Sequence, residues 1–256
     1  YASTFGFCLW LRPQDVNLAD GGVAHDGEVA TRLGLAAIPV CAETIALSHI
    51  ILMVKETGAR VHLCRISSAE GVAMTRAARK QGLPITCDVA ANHVHLSEMD
   101  IGFFDSNCHL VPPLRSLGDR DALRAGLLDG TIDAICSDHA PVDEDAKLLP
   151  FAEAEAGATG LELLLPLTLK WAAETKLPLV AALSRITGEP ARILGVEAGH
   201  LTPGADADLC IFDPDHYWTI EASALKSQGK NTPFLGWELQ GKVKYTLING
   251  NVVYTD

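Results

Sequence analysis

The sequence contains no Cys-x-x-Cys pair, no solenoid-type repeat, no low-complexity tract and no apolar run long enough to span a bilayer. Each absence removes a class of protein. The seven cysteines are odd in number and several sit inside apolar runs, so they read as reduced, buried small hydrophobes of a cytoplasmic protein. No secretory leader and no membrane-spanning segment are read. Positive charge is scarce as well. Twenty Lys and Arg against 32 Asp and Glu leave a net charge of −12, which disfavours a nucleic-acid or anionic-membrane partner. What remains is 256 residues, 48% hydrophobic, enough for one large or two modest globular domains. The first residue is Tyr1 rather than Met, and we expect a piece of a longer protein.

Apolar runs and turn residues alternate along the chain. Phe5 to Leu11 reads as a buried strand that can run out through Arg12, because Pro13 biases that residue toward extended backbone. Ala42 to Lys55 carries Ile45, Leu47, Ile50, Ile51 and Val54 at helical spacing, and Gly58 closes the helix. Ala59 to Ile66 is a second strand, followed by a helix from Ser67 to about Lys80. Leu83 to Ala90 is a third strand. Asp119 to Leu128 is a helix stopped by Gly130, and Ile132 to Ser137 is a fourth strand. Repeated strand–helix units imply a parallel sheet. Leu161 to Thr175 and Leu179 to Ile186 read as helices, the second ending near Gly188-Glu189-Pro190. After Gly195 the texture changes: Gly199 to Asp213 reads as a turn and then a short strand, and Val243 to Tyr254 as a hairpin turning at Asn249-Gly250.

The fourth strand leads into Ser137-Asp138-His139-Ala140-Pro141. An Asp and a His at the carboxyl end of a buried strand stand where α/β enzymes place chemistry, whereas an isolated Asp there is more simply a helix cap. The wider pattern decides between them. His25-Asp26-Gly27, Ala42-Glu43, Val61-His62-Leu63-Cys64-Arg65-Ile66-Ser67-Ser68, Pro112-Pro113-Leu114-Arg115, Asp129-Gly130-Thr131-Ile132-Asp133, Ser137 to Pro141 and Gly204-Ala205-Asp206-Ala207-Asp208-Leu209 occur in that order. Together they resemble the C-terminal portion of class I dihydroorotases, of the amidohydrolase superfamily. The resemblance implies a (β/α)8 TIM barrel, here its last four βα units over 1–198, followed by part of a small β-sandwich over 199–256. It also implies reversible hydrolysis of a cyclic amide in pyrimidine biosynthesis, with zinc polarising the carbonyl and activating water. In that scheme Asp138 holds metal and shuttles the proton.

Several positions depart from the family pattern. Where the resemblance expects metal-binding histidines at the ends of two strands, the chain has Arg12 and Arg65. A guanidinium stays protonated and offers no lone pair to a metal. Val111, Val142, His139 and Gly157 fall where the resemblance places the substrate pocket, and Val111 and Val142 replace an Asn and a His. His93 and His95 are substitute ligands only if that segment is extended, so that side chains two apart point the same way. We therefore expect zinc by family but none bound in this chain. Arg12, Arg65 and Asp138 are expected to converge, with Asp138 in an ion pair. The resemblance further implies an assembly role beside an aspartate transcarbamoylase subunit, as an oligomer, with the other half of the barrel supplied by residues outside this sequence. Two alternatives stand beside it: an active cyclic amidohydrolase with an altered zinc site, and an anion-binding protein using the arginine pair.

Overall fold

Cys8–Leu11, Arg60–Leu63, Ile85–Ala90 and Ala134–Cys136 form strands β1 to β4 in a computed structural model that describes residues 1–256. They pair in that order, every pair parallel, with Trp10 beside His62, His62 beside Thr86 and Ala90 beside Cys136. Each strand is joined to the next by a connection containing a helix. The first is α1, Cys41–Thr57, closed by Gly58 in the left-handed region. The second is α2, Ala69–Lys80, whose Ser68 cap accepts the Gly71 N–H. The third connection holds a one-turn helix α3, Ala91–His95, and then α4, Leu117–Asp129, which opens on a Ser116/Asp119 capping box. Asp119 also accepts the Ala69 N–H, so one carboxylate orders the starts of both α2 and α4.

The helices bury their apolar stripes on one face of the sheet. Leu47, Leu63, Leu114, Leu123, Leu127 and Ile132 are almost wholly excluded from solvent, each contributing about 1.5–3 kcal/mol relative to an exposed side chain. Trp10, His62, Thr86, Asp88 and Cys136 meet on the other face. The Trp10 and His62 rings lie 4.4 Å apart, and Asp88 touches both His62 and Cys136.

The chain divides into two compact units, residues 1–161 with 227–233, and residues 162–226 with 234–256. The expected division at 198/199 does not reproduce this split. The helices α5 (Leu164–Thr175), α6 (Leu179–Ser184) and α7 (Gly188–Leu194) belong with the antiparallel sheet of β5 (Leu209–Thr219), β6 (Glu238–Ile248) and β7 (Asn251–Thr255). The β6–β7 hairpin turns at Asn249 and Gly250, both at positive φ, as a two-residue turn requires.

Three local expectations change. Strand β1 begins at Cys8, because Ala2–Phe5 forms a helical turn ended by Gly6 in the left-handed region. A helix starts at Gly188, where the sequence suggested a stop; Pro190 lies in its first turn, where a missing N–H costs nothing. His93 and His95 lie on α3 and not on an extended segment. Residues two apart on a helix point to different sides, so the geometric premise for that pair as joint ligands fails. No helix is long and apolar enough to cross a membrane.

Candidate functional site

The carboxyl ends of β1, β2 and β4 deliver Arg12, Arg65 and Asp138 to one place. Arg65 and Asp138 leave their strands with φ of 59° and 46°, left-handed conformations that cost a non-glycine residue about 1–2 kcal/mol. The surroundings hold them there. The Arg65 N–H donates to Asp88 Oδ1 at 2.7 Å, and Arg65 Nη1 donates to Asp138 Oδ1 at 2.5 Å and to the Val111 carbonyl at 3.4 Å. The ion pair thus ties the exits of β2 and β4 together across β3.

Arg12 is exposed along part of its length and makes no ion pair or hydrogen bond with the protein. Its pKa lies below the usual arginine value, because partial burial disfavours the charge and Arg65 repels it, while Asp138 pulls the other way. Arg12, Gln14, Arg65, Pro113 and Arg115 line a small cavity of about 10 Å³ with Glu43 on its wall.

That wall is fixed by hydrogen bonds. Buried Glu43, in the first turn of α1, accepts the backbone N–H and hydroxyl of both Ser67 and Ser68, at 2.8, 2.6, 3.1 and 2.5 Å. Arg115 is also buried and donates to Ser67 Oγ, to the Ile38 carbonyl and toward His25 Nδ1. Burial, and after it Arg115, holds the His25 pKa below the usual histidine value.

The pocket-wall positions do structural work. His139 Nδ1 accepts the Gly160 and Leu161 N–H groups, each at 3.2 Å. Val142 is buried and its N–H donates to Asn231 Oδ1, whose amide also donates to the carbonyls of Ala140 and Gly157. Gly157 has φ 136°, and a Cβ there would lie 2.7 Å from that of Ala140, so glycine is required. Buried His93 bonds the Pro113 carbonyl at 3.2 Å through Nε2, while its Nδ1 has no partner. Burial keeps its pKa below the usual value. His95 is buried beside it on α3.

Two features escaped the sequence. Asn231 sits far along the chain and nothing around it marks a partner. The second is a buried pair, His62 Nε2 to Asp88 Oδ2 at 2.9 Å, with His62 Nδ1 at 2.8 Å from Thr86 Oγ1. His62, Cys64 and Asp88 offer donor atoms within 4.8 Å of one another. Both imidazole nitrogens and both Asp88 oxygens already have protein partners, and burial with the Asp88 charge pushes the Cys64 thiol up to about 11, so it stays protonated.

The family metal does not fit the strand-end positions found here. Two of the three groups that converge are guanidiniums without a lone pair, and the single carboxylate is taken by one of them.

The profile of the Amidohydrolase family matches residues 34–253. A dihydroorotase-like protein of Pseudomonas aeruginosa is 42% identical over 254 residues, covering 99% of this chain and 60% of its own length. A dihydroorotase of a Geobacter species is 41% identical with the same coverage. The chain therefore spans about 60% of the length of the curated relatives it matches. Among solved structures, an L-hydantoinase (dihydropyrimidinase) of Arthrobacter aurescens superposes with TM-score 0.87 at 26% identity, over 99% of this chain and 58% of that one.

Proposed function

This chain belongs to the amidohydrolase family, and from that membership we propose that the protein is a dihydroorotase-like member of pyrimidine biosynthesis that does not hydrolyse the cyclic amide itself. In this reading it serves as an assembly partner of an aspartate transcarbamoylase subunit. The observation that carries the non-catalytic part is the Arg65–Asp138 ion pair, with Arg12 beside it. Metal-assisted hydrolysis needs neutral or anionic donors around a dication. Here the positions that the resemblance assigns to histidine ligands are cationic, and the carboxylate that would shuttle the proton neutralises one of them. Val111 and Val142 bring no polar side chain to the pocket wall. The transcarbamoylase part rests on the resemblance alone.

The competing reading is an active cyclic amidohydrolase with an altered zinc site; His62, Cys64 and Asp88 lie close enough together to hold a metal, but only if their present hydrogen bonds are given up and the Cys64 thiol loses its proton. One experiment separates the two. The full-length protein is assayed for dihydroorotate ring opening with zinc supplied, beside an Asp138→Ala variant. The expected result is no turnover above background in either, together with co-purification of a transcarbamoylase subunit. Zinc-dependent turnover that disappears in Asp138→Ala contradicts the proposal.

A further inference from the structure

The arginines at this site outnumber the carboxylates free to meet them. Arg65 is paired with Asp138, and Arg12 shares that one charge from the side. Arg115 lines the same cavity, and none of its hydrogen-bond partners is a carboxylate. Glu43, the remaining acid on the wall, is consumed by four hydrogen bonds from Ser67 and Ser68. Donors are also left over. The Arg12 guanidinium meets no acceptor, and Arg65 uses only Nη1, leaving Nε and Nη2. Gln14 lines the cavity too, and its Oε1 is buried without a partner. Turning that amide over presents an N–H in its place.

We propose that the cavity between Arg12 and Arg65 binds a small oxyanion, the carboxylate or phosphate group of a small molecule. Planar guanidinium forks match the paired oxygens of either group, and their charge-assisted hydrogen bonds are about twice as strong as neutral ones. A cavity of about 10 Å³ admits about one water-sized group. An oxygen of the head group therefore enters between the side chains, and the rest of the molecule stays outside. Pro112, Pro113, Ile38 and Ala42 form apolar walls that reduce competition from water. An anion there also offsets the repulsion between Arg12 and Arg65, which after partial burial is what lowers the Arg12 pKa. The inference goes beyond the non-catalytic reading, because anion binding holds whether or not the protein turns over a substrate.

The test is isothermal titration of the full-length protein with inorganic phosphate and, separately, with succinate, at constant ionic strength maintained with chloride. Saturable binding of either, weakened about tenfold or more in Arg12→Gln, is expected. Arg12→Gln breaks no protein hydrogen bond, so its unfolding midpoint should stay at the parent value. Binding of phosphate alone assigns a phosphate-bearing ligand, and binding of succinate alone a carboxylate. Failure of both to saturate, or equal affinity in Arg12→Gln, overturns the proposal. Neither result bears on metal content, which is measured separately.

Discussion

The Arg65–Asp138 pair yields a quantitative prediction. Replacing Arg65 by Met keeps an unbranched apolar stem and removes the charged guanidinium, and Asp138→Ala removes the other partner. Arg65 and Asp138 both sit in the left-handed region, and any change of backbone strain at either position enters the single and the double variants alike, so it cancels in a double-mutant cycle. The side chains are 28% and 14% exposed, which places the pair between a surface ion pair, worth ~0–1 kcal/mol, and a buried one, where losing one partner costs ~3–5 kcal/mol. A coupling energy of about 2 kcal/mol is expected from the double-mutant cycle of Arg65→Met and Asp138→Ala, measured by urea unfolding of the full-length protein. Arg12 reduces the loss in Arg65→Met, because it remains to face Asp138. Added salt should lower the coupling only modestly, since a partly buried pair is poorly screened. A coupling within about 0.3 kcal/mol of zero, the scatter of independent sites, refutes the view that this pair clamps the strand ends.

Further outcomes follow from neighbouring groups. Glu43→Gln replaces an acceptor of four hydrogen bonds by an amide whose NH2 meets donors, and should cost about 3 kcal/mol in urea unfolding. A loss under about 1 kcal/mol would show that Glu43 does not hold the β2–α2 turn to α1. The pKa values of His25, His93 and His109 are all lowered, in each case chiefly by burial. The folded chain therefore binds fewer protons than the unfolded chain below the usual histidine value of 6.5. Their contribution should hold above that value and fall as the pH drops through it, levelling off only below the lowered folded values. Replacing His25 by Gln should flatten part of that slope in the urea midpoint, and an unchanged slope would remove His25 from the account.

Local signals served the sequence reading well. Alternating apolar runs located β2, β3 and β4 to within a few residues, and Gly58, Gly130 and Asn249-Gly250 marked helix ends and a turn. These features depend on side chains acting within four or five residues of themselves. The arginines were legible for another reason: Arg65 lies inside a fixed motif and Arg12 is placed by the motif that follows it, so a changed residue stood out. Features built from distant residues were not legible. Asn231 bonds Val142, 89 residues away, and carries 227–233 into the first unit. Glu43 was visible as half of a motif, but its four donors lie 24 and 25 residues on. The α3 helix was missed because a His-Val-His segment after a strand reads equally well as extended chain, and its one turn gains its stability from burial and not from helix propensity.

The account turns on whether this site holds a metal. Metal analysis of the full-length protein, purified without chelator and dialysed against zinc, tests it most directly. The account predicts substoichiometric zinc that does not change in Asp138→Ala. One or more zinc ions per chain, lost together with ring-opening activity in Asp138→Ala, would contradict it.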